Sequence, residues 1–312
     1  MTFSRIISVG SYLPSNCVSN ANLPPELETS DEWITSRTGI RQRYIAAPNQ
    51  LTSDLAVEAA KVALAKAGLT AVDLIIVATT TPDNTFPACA AAVQHKLGIK
   101  NCFAFDVQAV CSGFVFALAT ADNYIKSGTV KTALVIGAET LTRIVDWKDR
   151  GTCVLFGDGA GAVILKADNE AGIIASKLHT DGAYYNELYV DGGASQSSVG
   201  VLKMHGKEVF KHAVEKMSNS ILEVVNSSSY KLEEINWLIP HQANLRIMSA
   251  ISERIGLSAD KVFISVDKHA NTSAASIPLA MSENWARIKK GDVAVLTALG
   301  GGFSWGSVLL KF

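Results

Sequence analysis

What would staple or anchor this chain is missing. The five cysteines, Cys17, Cys89, Cys102, Cys111 and Cys153, are odd in number and scattered, with no C-x-x-C pair among them. That pattern speaks against a disulfide framework or a zinc ribbon and for a reducing compartment, the cytoplasm. The histidines contain no H-E-x-x-H pattern, so no metal site is expected. No uncharged apolar run reaches the roughly 18 residues that a membrane span needs. The opening MTFSRIISVGSYLPSN has too short an apolar run, and no basic segment before it, to act as a secretory signal. The formal net charge is -1, so no global field points to nucleic acid or to a membrane surface. Long linkers, low-complexity tracts and charge blocks are also absent.

What is present is apolar material: 312 residues, 48% hydrophobic and 18% charged, enough for a large core in two domains or one fused double domain. The chain also repeats itself. VDLIIVATT from Val72 resembles INWLIPHQA from Ile235, CFAFDVQAVCSG from Cys102 resembles VFISVDKHANTS from Val262, and ALVIGAE from Ala133 resembles VAVLTAL from Val293. The offsets are 163, 160 and 160 residues. Three matched segments in order, at nearly one offset, predict two similar halves of alternating strand and helix.

Helices are marked by composition and stops. LTSDLAVEAAKVALAKAG is alanine-rich and ends at Gly68. KEVFKHAVEKMSNSILEVVNS carries an apolar stripe at Val209, Phe210, Ala213, Val214, Met217, Ile221 and Leu222. NLRIMSAISERIG ends at Gly256, and TSAASIPLAMSENWARIKKG at Gly291. Such alternation predicts an α/β fold whose apolar strands are covered on both faces.

The repeat has a chemical consequence. At the 160-residue offset Cys111 falls on Asn271, and at the 163-residue offset Ala78 falls on His241. Ligands of open α/β sheets gather at the carboxyl ends of strands, so Cys111, His241 and Asn271 are predicted to converge. Cys111 lies where a strand gives way to a helix, a place where the helix dipole is expected to lower the thiol pKa. Ser112 and Gly113 beside it are small enough to leave room for a substrate carbonyl. Each residue also has an ordinary alternative. A buried cysteine fills space, a histidine after a strand braces a turn, and an asparagine before a helix caps it. His269 competes with Asn271 for any catalytic role.

Two glycine strings stand out. FGDGAGAVIL lacks G-x-G-x-x-G spacing and leads into a strand, which argues for close packing and against phosphate binding. The glycines of ALGGGFSWGSVLLKF suit either a hairpin turn or a close backbone approach to a ligand. A papain-like Cys-His-Asn hydrolase set is disfavoured by the missing disulfides and the missing CGSCW signature.

Taken together, DVQAVCSGFVFAL, WKDRGTCVLFGDGAGAVIL, IPHQANLRI, NTSAAS, GGGFSWGSVLL and the early TSDEWITSRTGIRQR resemble β-ketoacyl-acyl-carrier-protein synthase III over essentially the whole chain. That resemblance implies a thiolase fold: two pseudo-symmetric halves in five layers, α/β/α/β/α, usually as a homodimer. It implies an N-terminal half, residues 1–168, with the cysteine, and a C-terminal half, residues 169–312, with the histidine and asparagine. The implied reaction starts type II fatty acid synthesis. Cys111 takes an acyl group, acetyl by expectation, from acyl-CoA, and decarboxylative Claisen condensation with malonyl-acyl carrier protein follows.

The resemblance also distributes roles. His241 and Asn271 complete the catalytic set, and the backbone N–H groups of Cys111 and Gly301 form the oxyanion hole. Trp33 and Arg150 sandwich the adenine of coenzyme A, while Arg37, Gly206 and Asn244 line its tunnel. Lys211 and Arg246 dock acyl carrier protein, and Phe86 caps the acyl pocket of a dimer partner. No permanently bound cofactor is implied; coenzyme A enters as a thioester substrate. Two positions depart from the family pattern: Ala270 stands where glycine is frequent, and Leu299 where phenylalanine is frequent. The alternatives are a condensing enzyme of secondary metabolism and a thioester hydrolase.

Overall fold

The protein is described by a computed structural model covering residues 2–312. Its first half runs β1 (Phe3–Tyr12), β2 (Asn16–Ser19), α1 (Asp31–Thr38), β3 (Gln42–Ile45), α2 (Thr52–Ala67), β4 (Leu74–Ala78), α3 (Cys89–Leu97), β5 (Phe103–Val107), α4 (Gly113–Lys126), β6 (Thr132–Thr140) and β7 (Asp158–Asp168). The second runs β8 (Ile173–Thr180), β9 (Leu188–Gly193), β10 (Ser198–Met204), α5 (Gly206–Asn226), β11 (Trp237–Pro240), α6 (Leu245–Ile255), α7 (Val266–His269), α8 (Ser276–Asn284), β12 (Val293–Gly300) and β13 (Ser304–Lys311).

Two sheets carry the repeat. One has the order β1-β7-β6-β4-β5, the other β11-β12-β13-β8. In the first, β4 runs parallel to β5 and β6, and β7 runs antiparallel to β6 and β1. The second repeats this: β11 is parallel to β12, and β13 is antiparallel to β12 and β8. The equivalent of β5 is reduced to a single parallel bridge between Leu238 and Val262. The strand expected at VFISV therefore does not form. The Gln242 side chain occupies the backbone groups that a ladder would use. Its Nε2 donates to Phe263 O at 2.9 Å, and its Oε1 accepts from Ser265 N at 2.8 Å and Val266 N at 3.2 Å.

Alternate residues of each sheet enter different cores. Leu74, Ile76 and Ala78 of β4 and Ala294, Leu296 and Ala298 of β12 pack on α4 and α8 in a shared central layer. Ile75 and Val77 face α2 and α3, and Val293, Val295 and Leu299 face α5 and α6. The result is the five-layer thiolase arrangement. Each fully buried Leu or Ile contributes about 1.5–3 kcal/mol, so a polar residue on either face of β4 or β12 is costly.

The central layer is thin because glycines let the halves approach. A Cβ at Gly137 would lie 2.1 Å from Ala274 O, and one at Gly161 would lie 2.7 Å from the Pro278 Cβ. Gly161 belongs to the FGDGAGAVIL string, which forms β7, so the string serves close packing.

Candidate active site

A cavity of about 970 Å³ opens where the two halves meet, and Cys111, His241, Asn271 and Gly301 all line it. The three side chains are nearly inaccessible, with relative exposures of 5%, 3% and 6%. The other four cysteines do not line the cavity. His269 does not either. Its ring faces Tyr44, with centroids 6.4 Å apart, and Glu283, at 3.6 Å. Asn271, not His269, therefore shares the cavity with Cys111.

Cys111 sits in a single 3-10 turn, Val110–Ser112, that runs into α4. The backbone of Gly300 presses against this turn; a Cβ there would lie 2.7 Å from Cys111 N. Outside the helix and strand ladders, neither the Cys111 N–H nor the Gly301 N–H donates to a backbone carbonyl among the described residues. Two expectations change here. Gly113 does not make room for substrate: a Cβ on it would meet Ala78 at 3.2 Å and Ala274 at 3.5 Å, so it lets α4 pack tightly. Nor is the thiol acidified. Burial pushes Cys111 up to about 12, with ionised Glu139 adding to the rise and the Ser273 hydroxyl opposing it. Desolvation of the sulfur is the largest cause of that rise.

His241 follows β11 directly, and its N–H donates to Thr297 O of β12 at 2.8 Å. Burial lowers its pKa to about 3, so the ring is neutral. Its Nδ1 lies 2.7 Å from Ser276 Oγ, which also accepts the Gln242 N–H at 3.3 Å. If Nδ1 carried the ring proton, the buried Ser276 O–H would have no acceptor. The pattern therefore places the proton on Nε2, leaving Nδ1 to accept from Ser276.

Asn271 is fixed in the same manner. Its backbone is clamped by Asn271 N to Leu155 O at 2.9 Å and Gly157 N to Asn271 O at 3.0 Å. Its Oδ1 accepts from Ser273 N at 2.8 Å, which leaves the amide N–H groups as its free donors. Imidazole and carboxamide alike have their acceptor atoms engaged and a donor to spare.

The departures at Ala270 and Leu299 have distinct effects. Ala270 is fully buried at φ +59° and ψ −163°, a region tolerated by glycine. Its methyl strains the backbone at 270, while the two clamping bonds hold Asn271. Leu299 is buried and forms part of the cavity wall.

At the exposed end of the cavity lie Trp33, Arg37, Arg150, Gly206, Asn244 and Arg246. The Arg37 and Arg150 guanidinium carbons sit 4.6 Å and 5.5 Å from the Trp33 ring centroid, and Arg150 is tied to Glu28 O at 2.8 Å. Asn244 also caps α6, its Oδ1 accepting from Arg246 N at 2.8 Å. Lys211 is exposed on α5 outside the cavity, and Phe86 is 83% exposed and likewise outside it.

Sequence patterning did not single out Ser273, Ser276, Glu139 or Lys207. The two serines stood inside the NTSAAS string and Glu139 at the end of an apolar strand, but only tertiary packing reveals their partners.

Comparison with known proteins agrees along the chain. A family model described as 3-oxoacyl-[acyl-carrier-protein] synthase III matches residues 105–182, and the model of its C-terminal region matches 225–312. A beta-ketoacyl-[acyl-carrier-protein] synthase III of Ehrlichia ruminantium (strain Gardel) is 54% identical, covering 100% of both chains. The protein of that name from Paramagnetospirillum magneticum is 56% identical over 99% of this chain and 98% of its own. The crystal structure of 3-oxoacyl-[acyl-carrier-protein] synthase III from Aquifex aeolicus superposes with a TM-score of 0.95 at 46% identity, over 99% of this chain and 100% of that one.

Proposed function

This chain belongs to the β-ketoacyl-acyl-carrier-protein synthase III family, and from that premise we propose how its residues divide the work. The protein is an acyltransferase, the initiating condensing enzyme of fatty acid synthesis. The observation that carries the assignment of roles is that one cavity holds a thiol, an imidazole and a carboxamide, the last two with their acceptor atoms already engaged.

In the first half-reaction the Cys111 sulfur attacks the thioester carbonyl of acyl-CoA, with acetyl as the expected primer, and coenzyme A leaves. The free N–H groups of Cys111 and Gly301 hold the tetrahedral oxyanion. In the second, malonyl-acyl carrier protein loses carbon dioxide, and charge grows on its thioester oxygen. The His241 Nε2–H and the Asn271 amide each donate to that oxygen, and the carbanion attacks the acyl-cysteine. A neutral imidazole suits a group that must donate throughout.

Trp33 and Arg150 receive the adenine, which requires Arg150 to lift from the ring it now covers. Arg37, Gly206 and Asn244 line the coenzyme A path. Exposed Lys211 and Arg246, with Lys207 nearby, supply positive charge for an acidic carrier protein. A homodimer is supported by the unpaired outer edge of β5, where Phe103 is 41% exposed, and by the projecting Phe86, which would cap the partner's acyl pocket. We divide the chain functionally at residues 1–168 and 169–312. The cytoplasm is proposed from the unpaired cysteines, and no helix among the described residues is long and apolar enough to cross a membrane.

Incubation with acyl-CoA and malonyl-acyl carrier protein tests this reading. Formation of 3-ketoacyl-acyl carrier protein with release of carbon dioxide supports it; free acid formed without the malonyl donor would indicate a hydrolase.

A further inference from the structure

Cys111 and Asn271 are equivalents in the repeat, yet one stands at the entry to α4 and the other follows a short helix of its own. The two halves part where β4 and β11 end. In the first, pairing of β4 with β5 runs from Leu74–Phe103 to Ala78–Val107, and Thr79 N still donates to Val107 O at 3.3 Å. In the second, pairing among the described residues is limited to the Leu238–Val262 bridge and the bond from Phe263 N to Leu238 O at 2.9 Å. Beyond that point the chain turns into α7, which has no counterpart in the first half, and reaches Asn271 two residues after it.

Gln242 stands at this divergence. It is the equivalent of Thr79 at the 163-residue offset, and it is only 1% exposed. Its Nε2 donates to Pro240 O at 2.8 Å and to Phe263 O at 2.9 Å. Its Oε1 accepts from Ser265 N at 2.8 Å and from Val266 N at 3.2 Å. Both amide protons and both acceptor sites are therefore in use. The side-chain amide does between β11 and residues 263–266 what a peptide group does in a ladder. A side chain with fewer donors or acceptor sites leaves at least one of these buried backbone groups unpaired.

Asn271 is held from two sides. Its bonds to Leu155 O and Gly157 N tie it to the loop before β7, in the first half, and fix nothing relative to His241. The link to His241 is made by residues before and after Asn271. Gln242, next in the chain to His241, holds the entrance at Ser265 and Val266. Ser276 Oγ, which accepts Gln242 N and lies 2.7 Å from His241 Nδ1, holds the exit.

We propose that Gln242 is a positioning residue for condensation: its side-chain amide sets the Asn271 carboxamide against the His241 imidazole, so that both donate to one enolate oxygen. This rests on the donor roles given to those two residues above. None of the Gln242 hydrogen bonds reaches Cys111 or the Gly300–Gly301 backbone, so the first half-reaction does not depend on it.

Single-turnover assays of the two half-reactions test the proposal. Gln242→Met removes all the side-chain bonds while keeping the length of the side chain. Gln242→Glu keeps the shape and the acceptor oxygen, removes the two donated bonds, and decides the matter if Gln242→Met does not fold. In either variant, condensation of preformed acetyl-enzyme with malonyl-acyl carrier protein is expected to fall about 10²-fold, the loss that a displacement of about 1 Å can bring. Acylation of Cys111 by acetyl-CoA should stay near wild type, which also reports the fraction of folded enzyme. In an Asn271→Ala background, Gln242→Met should cause no further loss of condensation, because residues that act through one another are not additive. Wild-type condensation by both variants, equal losses in the two half-reactions, failure of both variants to give acylatable enzyme, or a full further loss in the Asn271→Ala background would each overturn the proposal. Unimpaired condensation by Asn271→Ala alone would instead overturn the donor role assigned to Asn271.

Discussion

Ser276 Oγ lies 2.7 Å from His241 Nδ1 and simultaneously accepts the Gln242 N–H. A residue from the start of α8 thus sets which nitrogen of a residue after β11 carries the proton. Ser276→Ala frees Nδ1 and mixes the tautomers, and by analogy with the orienting partners of metal-bound histidines the loss is expected to be about 10–10²-fold. Condensation should fall by that order while acylation of Cys111 stays near wild type. Paired single-turnover assays of the two half-reactions check this.

The donors themselves should cost more. Removing one preorganised donor typically costs about 10²–10³ in rate. His241→Ala and Asn271→Ala are expected to form an acyl-enzyme visible by mass but to lose condensation on that scale. His269→Ala should be much milder, because His269 faces Tyr44 and Glu283 instead of the cavity. A loss in His269→Ala equal to that in Asn271→Ala would reverse the assignment.

Ala270 holds a backbone conformation that costs a non-glycine residue about 1–3 kcal/mol. Ala270→Gly relieves that strain, less the added flexibility of the unfolded chain, which offsets up to about 1 kcal/mol. The variant should unfold at a higher denaturant midpoint with an unchanged slope. A lower midpoint would mean the buried methyl contributes more than the strain costs.

Two buried groups give stability a pH signature of known sign. His241 titrates lower in the fold than when unfolded, so the unfolded chain binds more protons below about 6.5 and stability falls as pH drops from there toward about 3. Glu139 titrates higher in the fold, so stability falls as pH rises from about 4.5 through about 7. His241→Gln should flatten the acid side of the stability profile, and Glu139→Gln should gain more at alkaline than at acid pH. Chemical denaturation of both variants over that range provides the check.

Much of this architecture was legible because the chain states it twice. The offset linking Ala78 with His241 follows from the equivalent ends of β4 and β11, the one linking Cys111 with Asn271 survives although its second strand is reduced to a bridge, and the two sheets do pair their strands alike. VFISV has the pattern of a strand but does not form one, because a side chain distant in sequence, Gln242, takes its hydrogen bonds. The thiol was expected to be acidic because a helix end is visible in sequence, whereas the desolvation of its sulfur is not. Ser276 and Glu139 carry no sequence signal for a related reason. Their importance lies in what packs against them from other elements, and no local pattern records it.

The most direct test of the central claim is peptide mapping by mass spectrometry after exposure to acetyl-, butyryl- and branched acyl-CoAs. The expected result is a single acyl group on the peptide containing Cys111, absent in Cys111→Ser and discharged by malonyl-acyl carrier protein. No adduct with any primer, or an adduct on Cys17, Cys89, Cys102 or Cys153, would contradict it.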